Sequence, residues 1–470
     1  MTPAGKLSFG TDGYRGVISD TFTFDSVRAI AQGFSDYVSH KYIRTADKPD
    51  IVVGYDRRFL SKDFALTFAA VAKANGLKVA ISNSPLTTPV ISHLTYKRNA
   101  LGVMITASHN KYMYNGIKIK EGGKSATPQT TAEIENYISK ASVVGENKNI
   151  REIDFTRAYI SYVKSKFNIP KIFSALKQPV VVDYMYGAAA ELAENVFFSK
   201  KIIPIHTSFD PLFGFVPPEP IEKNLARLSR AVVENKAAFG LALDGDGDRM
   251  AIVDERGRYL SPHQLAPMLF EYLIQNKKVK GKLVQAVSMG YLTKRIAAEH
   301  SMMVEDVPVG FKYIAEKMVS EEIAFGVEES GGYSWKGNIP ERDGILTGLL
   351  VAEMASNLKK KISEIYASIE KKYGKSFFIR KDQHLPKGIS NKHSFAVKCR
   401  KKMPKVINSK KVRETKTIDG LKVVLEDDSW LLIRPSGTEP LLRVYAEAPS
   451  KVSSLGLIDT ACKAALSVVR

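Results

Sequence analysis

Three aspartates are spaced two residues apart in the run Asp244-Gly245-Asp246-Gly247-Asp248-Arg249. Carboxylates at this spacing can converge on one hard cation, because the intervening glycines allow a tight turn. Without a cation the carboxylates would repel one another, so the run predicts a site for an ion such as Mg²⁺. An EF-hand is excluded, because Arg249 stands where that loop needs glycine and strand-like segments flank the run at 239–243 and 250–253.

A hydroxyl and an imidazole follow the apolar segment 101–105 in the run Thr106-Ala107-Ser108-His109-Asn110. The carboxyl end of a strand is where α/β proteins build active sites, so Ser108 is a candidate nucleophile. A capped turn is the alternative, since Ser and Asn favour such positions. The run lacks the GxSxG of a nucleophile elbow, and neighbours in sequence do not make a catalytic triad.

The segment Asn115-Gly116-Ile117-Lys118-Ile119-Lys120 has alternating character. In a strand, this alternation places Lys118 and Lys120 on one face and the two isoleucines on the other. A solvated lysine face is one interpretation. The other is a lysine whose pKa is lowered by burial or by cationic neighbours and that serves as a general acid or base.

Two further polar loops follow apolar segments. The run 326–332 offers Glu328, Glu329 and Ser330 between glycines, which suits the vicinal hydroxyls of a sugar, and a polar turn is the alternative. The run Arg434-Pro435-Ser436-Gly437-Thr438-Glu439-Pro440 offers a guanidinium, hydroxyls and backbone N–H groups, which together suit a phosphate. Neither a Walker pattern nor a GxGxxG opening a helix after the first strand is present.

These loops need elements to position them, and apolar segments of strand length alternate with amphipathic segments along the chain. Strands are predicted at 51–54, 78–81, 101–105, 179–183, 239–243 and 282–287, and helices at 61–75 and 345–372. This spacing indicates several α/β units with parallel or mixed sheets. Boundaries near 150, 257 and 372 give four units, of which the last is a smaller α+β unit.

The composition is that of a globular protein, with 44% hydrophobic and 25% charged residues among 470. The 69 Lys and Arg exceed the 49 Asp and Glu by a net charge of +20, which attracts polyanions and small anionic substrates alike. Sixteen of these cations and only two acids lie in the segment 371–416. A solvated basic face is favoured there, and steering of anionic substrates is the alternative.

Cys399 and Cys462 are the two cysteines of the chain, and their separation fits neither a disulfide framework nor a zinc knuckle. Sparse cysteines are typical of a reducing compartment. The first residues lack the apolar stretch of a signal peptide, and no apolar run approaches the length of a membrane span. We therefore expect a cytoplasmic protein without membrane association.

Six motifs taken together resemble the α-D-phosphohexomutases, which comprise phosphoglucomutase, phosphomannomutase and their amino-sugar relatives. They occur in the order of that family: Phe9–Gly16, Thr106–Asn110, Asn115–Lys118, Asp244–Arg249, Glu328–Gly331 and Arg434–Pro440. The resemblance implies an α/β fold in which three related α/β domains with mixed sheets and a smaller C-terminal α+β domain surround a central cleft. The expected domains are 1–150 with the phosphoserine loop, 151–256 with the metal-binding loop, 257–372 with the sugar-binding loop and 373–470 with the phosphate-binding loop.

The resemblance also implies a mechanism in which Ser108 is a phosphoserine. A hexose monophosphate takes this phosphoryl group, and a hexose 1,6-bisphosphate serves as intermediate and activator. Ser108 and the three aspartates, Asp244, Asp246 and Asp248, match the Mg²⁺ ligands of the family. Lys118 matches its general acid/base, and His109 and Arg15 match the neighbours of the phosphoryl group. The residues that match substrate-binding positions are Arg249, Lys312, Glu328, Ser330, Arg434, Ser436, Gly437 and Thr438.

Gly332 stands where many members, especially those that act on mannose, carry histidine. The run Glu328–Gly331 is similar to glucose-type members, so interconversion of glucose 1-phosphate and 6-phosphate is the preferred function. A phosphomannomutase or a bifunctional enzyme is one alternative, and a basic nucleic-acid-binding or scaffold protein on the same fold is another. We expect a sugar phosphate as the ligand and a monomer or homodimer, and nucleic acid is not favoured as a partner.

Overall fold

The computed structural model describes residues 7–10, 12–43, 48–138, 145–147, 149–197, 199–385, 388–389, 391–436 and 440–469. The chain divides into two compact units, which are residues 1–260 with 331–362 and residues 261–330 with 363–470. The described residues of each unit form α/β structure with mixed or antiparallel sheets, and the C-terminal part of the second unit is α+β. The expected fold class is therefore confirmed, whereas the domain boundaries at 150, 256 and 372 stay predictions.

The first sheet of the first unit carries the serine motif. Its main path has the strand order Tyr14–Val17, Tyr114–Glu121, Ala100–Ile105, Asp50–Tyr55, Val79–Ser82 and Arg151–Ile153, and Lys124–Ser125 pairs with the second of these. The helices beside it are Phe24–Lys41, Ser61–Ala74, Thr88–Lys97 and Pro128–Ile138. Ala100–Ile105 is buried along its whole length and pairs in parallel with Asp50–Tyr55. This continuous burial explains why Ala100–Ile105 is apolar throughout, and why Asp50–Tyr55 shows no alternation after its first residue.

The second sheet carries the aspartate motif. Its strand order is Tyr259–Leu260, Met250–Asp254, Phe239–Leu243, Val180–Asp183 and Ile202–Ile205. The helices in this part of the chain are Thr156–Lys166, Ile169–Ala175, Ala193–Val196 and Ala226–Glu234, with short 3₁₀ turns at Ala188–Leu192, Phe213–Phe215 and Glu222–Asn224. Phe239–Leu243 and Met250–Asp254 pair antiparallel, so the run 244–249 is the turn of a hairpin. The first unit also contains the strand Gly332–Trp335 and the helix Gly344–Leu358.

The second unit begins with a parallel arrangement, in which Lys282–Ala286 lies between Val304–Val307 and Ile323–Glu328. Its helices are Pro262–Lys277, Leu292–Glu299, Phe311–Ser320 and Ile362–Tyr373. A meander of antiparallel strands follows in the order Phe377–His384, Leu441–Ala448, Trp430–Pro435, Leu421–Leu425, Lys410–Lys416 and Val406–Ile407. The helices Lys392–Lys402 and Lys451–Val469 complete this part.

Lys451–Val469 is the one helix among the described residues with the length and hydropathy of a membrane span. Its side chains Leu457, Ala461 and Ala465 are buried in the core of the C-terminal sheet. Core helices of globular proteins have the same length and hydropathy, so this helix is weak evidence for membrane insertion.

The continuous helix predicted over 345–372 is wrong. The structure has two helices, Gly344–Leu358 and Ile362–Tyr373, and the first ends where Lys359 adopts a positive φ of 53°. Lys359, Lys360 and Lys361 lie between them. Consecutive residues of a helix point to different sides, so continuing this largely buried helix would bury at least one of the three lysine side chains. The chain turns at Lys359 instead.

Candidate active site

The serine loop, which we define as residues 106–110, begins where the strand Ala100–Ile105 ends. Ser108 is fully buried and has a φ of 53°, in the left-handed region that residues with a Cβ rarely adopt. Its Oγ donates a hydrogen bond to Oδ2 of Asp244 over 2.9 Å. The loop therefore presents Ser108 directly to the aspartate run, and the alternative of a simple capped turn does not account for this contact.

The aspartate loop, residues 244–249, brings three buried carboxylates together. One oxygen from each of Asp244, Asp246 and Asp248 lies within 4.8 Å of the others. Burial, and then the charges of Asp248 and Asp246, raise the pKa of Asp244 well above its usual value. The Oδ1 atoms of Asp246 and Asp248 accept no hydrogen bond from the described part of the chain. Buried carboxylate oxygens without donors fit a hard cation such as Mg²⁺, so the residues present suit the metal expected for this motif.

The two loops pack backbone against backbone. A Cβ added at Gly245 would lie 2.5 Å from the carbonyl oxygen of Ser108, and Gly247 has a φ of 70°. A side chain at position 245 would therefore separate the serine from the carboxylates. The alternation of glycine and aspartate, noted in the sequence for its turn, also allows this close approach.

Lys118 is buried, with a side chain that is 1% exposed. Its Nζ lies 2.8 Å from Oδ2 of Asp246 and 3.0 Å from carboxylate oxygens of Asp248 and Asp12. Burial disfavours the ammonium, but the three carboxylates outweigh burial and raise the pKa of Lys118. The sequence offered a solvated lysine face or a lowered pKa, and the structure contradicts both. Lys120 is equally buried and pairs with Glu341 over 2.5 Å.

His109 and Arg15 lie beside the same loops. Burial, and then the charges of Arg249 and Arg15, lower the pKa of His109 well below its usual value, so the imidazole is neutral at pH 7. Arg15 donates to the side chain of Asn110 over 2.6 Å. The backbone N–H of Arg249 donates to Oδ1 of Asp244 over 3.1 Å. The structure thus brings together every residue of the first unit that was named from the sequence, and their individual roles stay predictions.

Sequence reasoning missed Arg342, Asp12 and Thr88 as members of this cluster. Arg342 Nη2 donates to Oδ2 of Asp12 and to Oδ2 of Asp248, each over 2.8 Å, and Thr88 donates to Asp246. The contacts from Arg342 and Lys118 offset burial and lower the pKa of Asp248. Arg342 belongs to the charged run Glu341-Arg342-Asp343 before an apolar helix, and that run was the available signal.

Asp56 and Arg58 were also missed. They follow the strand Asp50–Tyr55, which pairs in parallel with the strand that ends at the serine loop. The carboxyl ends of neighbouring parallel strands meet at one edge, so their position could have been inferred. Arg58 donates hydrogen bonds to four backbone carbonyls within residues 108–114.

In the second unit, Glu328 ends the strand Ile323–Glu328, and Ser330 donates a hydrogen bond to it. Ser288 donates to Glu329, whose pKa is raised first by burial and then by the charge of Glu328. Lys312 lies in the first turn of the helix Phe311–Ser320. The predicted sugar-binding motif is therefore the buried Glu328, the half-buried Glu329 and a hydroxyl at a strand end.

Arg434 and Ser436 lie at the end of the strand Trp430–Pro435 and just after it. The Nε of Arg434 donates to Oδ2 of Asp419 over 2.6 Å, and the backbone N–H of Ser436 donates to the carbonyl of Leu441 over 2.9 Å. Arg434 is also directly opposite Arg443 on the neighbouring strand. Gly437 and Thr438 lie outside the described residues.

Comparison with known families gives four matches. The Phosphoglucomutase/phosphomannomutase alpha/beta/alpha domain I matches residues 6–144, domain II matches 157–257, domain III matches 261–373 and the C-terminal domain matches 395–459. Together they cover most of the chain.

Individual relatives match over nearly their whole length. A phosphoglucosamine mutase of Caldicellulosiruptor saccharolyticus is 30% identical over 94% of this chain and 95% of its own. A phosphoglucomutase/phosphomannomutase of Thermococcus kodakarensis is 28% identical over 98% of each chain. A crystal structure of a Thermus thermophilus protein superposes with a TM-score of 0.85 at 29% identity, covering 98% of this chain and 99% of its own.

Proposed function

Because the chain belongs to the α-D-phosphohexomutase family, we propose that it moves a phosphoryl group between the 1- and 6-positions of a hexose or hexosamine through a phosphoserine at Ser108. Mutase activity on hexose or hexosamine phosphates is common to the named relatives. The observation that supports the serine is its Oγ, which is buried and donates a hydrogen bond to Asp244 of the aspartate loop.

Serine is a weak nucleophile and must be assisted to exchange a phosphoryl group. Asp244, Asp246 and Asp248, together with an oxygen of Ser108, would hold Mg²⁺, which neutralises the oxygens of the transferring group. The contribution of the chain itself is placement. Its left-handed backbone at Ser108 points the hydroxyl at the carboxylates, and burial keeps water from hydrolysing the phosphoserine.

Lys118 moves the proton in this proposal. Its raised pKa keeps the ammonium charged, so Lys118 gives its proton to the sugar oxygen that leaves phosphorus when Ser108 attacks a bisphosphate. The uncharged amine formed in that step receives the proton of the sugar hydroxyl when this hydroxyl attacks the phosphoserine, which restores the ammonium. His109 is neutral and donates one hydrogen bond to the phosphoryl oxygens without adding charge, whereas Arg15 and Arg249 supply positive charge.

The second unit supplies recognition. Glu328 and Ser330 bind sugar hydroxyls, and Arg434, Ser436 and Lys312 bind the phosphate that is not transferred, with Gly437 and Thr438 expected from the resemblance. A hexose 1,6-bisphosphate must present either of its phosphates to Ser108, so it has to turn over during one cycle. A separate anchor that accepts either phosphate suits this requirement, because guanidinium and hydroxyl groups recognise phosphate irrespective of the sugar carbon that carries it.

The preference among sugars is the finer part of the proposal. Glu328–Gly331 and the absence of histidine at Gly332 favour glucose phosphate, while the name of the Caldicellulosiruptor relative favours glucosamine phosphate. A coupled assay compares kcat/KM for the 1-phosphates of glucose, mannose and glucosamine, each with its 1,6-bisphosphate as activator. Conversion of a hexose or hexosamine phosphate that disappears in Ser108→Ala supports the proposal. No conversion of any of the three, or full activity in Ser108→Ala, overturns it, and a preference for mannose overturns the glucose assignment alone.

A further inference from the structure

Arg58 is buried and donates hydrogen bonds to the backbone of the serine loop and of the residues just after it. Its Nη2 donates to the carbonyls of Ser108 and Asn110 over 2.6 and 2.7 Å, and its Nη1 donates to those of Lys111 and Tyr114 over 3.0 Å each. Its Nε and backbone N–H donate to the carboxylate of Asp56. Both side chains are 0% exposed. One guanidinium therefore binds two carbonyls of the serine loop and two carbonyls of residues that follow it.

Asp56 is linked to the backbone N–H of Ser108, whose carbonyl accepts from Arg58. Its Oδ2 accepts from Thr106 Oγ1 over 2.6 Å, and Thr106 Oγ1 in turn accepts from the backbone N–H of Ser108 over 2.8 Å. Its Oδ1 accepts from Ser61 over 2.7 Å. The carbonyl of Ser108 is thus held by Arg58, and its N–H is held by Asp56 through Thr106.

We propose that Asp56 and Arg58 are positioning residues that hold the backbone of Ser108 in its left-handed conformation and so aim its Oγ at Asp244. This inference rests on the proposed function, in which Ser108 carries the phosphoryl group. Neither side chain touches the reacting atoms, and both act through the peptide groups that flank the serine.

The left-handed region is unfavourable for serine, so the conformation persists only where its surroundings fix it. A relaxed φ would rotate the hydroxyl away from the carboxylates. Lysine could not replace Arg58, because an ammonium on a flexible stem lacks the planar fork that reaches four carbonyls. The buried pair also adds no net charge beside a phosphoryl group that must come and go.

The test uses matched variants of the full chain with Mg²⁺. Thr106→Val removes the link between Asp56 and the N–H of Ser108 at constant side-chain size, and Thr106→Ser keeps the hydroxyl. Arg58→Lys removes the fork but keeps the charge. The control is Arg57→Lys, because Arg57 bonds Glu191 and the carbonyls of Thr207 and Ser208 instead of the serine loop.

The readout is the single-turnover rate of phosphoryl transfer from labelled glucose 1,6-bisphosphate to the protein, normalised to the fraction that becomes labelled, together with kcat and KM. Thr106→Val and Arg58→Lys should lower the transfer rate and kcat by roughly 10- to 100-fold, as expected for a misplaced reacting group, with KM changed less than about twofold. Thr106→Ser and Arg57→Lys should stay near wild type.

Transfer rates within about twofold of wild type in folded Thr106→Val overturn the inference, as does a raised KM with unchanged kcat. If Arg58→Lys does not fold, the two Thr106 variants decide alone. If the Ser108→Ala variant still accepts the label, the proposed function is contradicted instead. Failure of the positioning inference and failure of the proposed function are therefore distinguishable.

Discussion

The Oγ of Ser108 lies 2.9 Å from Oδ2 of Asp244, although 136 positions separate the two residues in the chain. The contact joins the end of a strand in one sheet to a hairpin turn in another. It couples the candidate nucleophile to the candidate metal ligands in a single buried cluster.

Replacing Asp246 by Asn should weaken Mg²⁺ binding at the site. One of three converging carboxylates is lost. Loss of a residue that only bonds a metal ligand typically lowers metal affinity about 10- to 100-fold, so loss of a ligand should raise the Mg²⁺ concentration for half-maximal activity by at least that factor. Activity measured against Mg²⁺ after treatment with EDTA gives this constant. Asp254→Asn is the control, because Asp254 is a buried carboxylate of the same hairpin that bonds Arg258 and not the cluster. Equal constants in both variants, or full activity in excess EDTA, would argue against the metal site.

Lys118→Met should lower kcat by about 10²- to 10⁴-fold, the usual contribution of general acid–base catalysis. Lys120→Met is the matched control, since Lys120 is on the same strand face and equally buried but pairs with Glu341. Its loss should reduce the melting temperature and leave kcat within a few fold of wild type. Equal losses of kcat in the two variants would show that loss of a buried lysine–carboxylate ion pair, and not loss of proton transfer, explains the effect.

Gly245→Ala should separate the two loops. The new Cβ would lie 2.5 Å from the carbonyl oxygen of Ser108, so one loop must move by a large fraction of an ångström. Displacement of this size costs roughly 10²-fold in kcat. Steady-state kinetics with a thermal unfolding curve measure the change, and a variant with wild-type kcat would show that the loops tolerate separation.

Asp343 should make stability depend on pH. It caps the helix Gly344–Leu358 and accepts hydrogen bonds from Tyr159, and burial raises its pKa to about 7. The folded protein therefore holds a proton that the unfolded chain releases near pH 4, so this carboxyl destabilises the fold progressively as pH rises from about 4 to 7.

Asp343→Asn keeps the cap and removes the charged form. Its melting temperature relative to wild type should rise with pH over that range and level off above pH 7. The comparison is made by thermal unfolding of both proteins at matched pH values. A difference that is constant with pH, or that falls, contradicts the shift.

The sequence predicted the motifs that lie in short loops after apolar strands, because strand periodicity and local residue types are both visible in it. The serine loop and the aspartate loop are examples, and the structure shows that they meet. The burial of Lys118 could not be seen, because alternation within a strand does not tell which face is covered. The contacts of Arg342 and Arg58 depend on distant segments and are set by tertiary packing. The break at Lys359 was visible as three lysines, but helical periodicity continued on both sides of it.

The central claim is that Ser108 carries the phosphoryl group, and peptide mapping by mass spectrometry tests it most directly. The protein is incubated with glucose 1,6-bisphosphate and Mg²⁺, and its intact mass and the modified peptide are determined. We predict a gain of one phosphoryl group on Ser108, and no gain together with no mutase activity in Ser108→Ala. A phosphoryl group on a different residue, or a Ser108→Ala protein that retains full activity without one, would contradict the account.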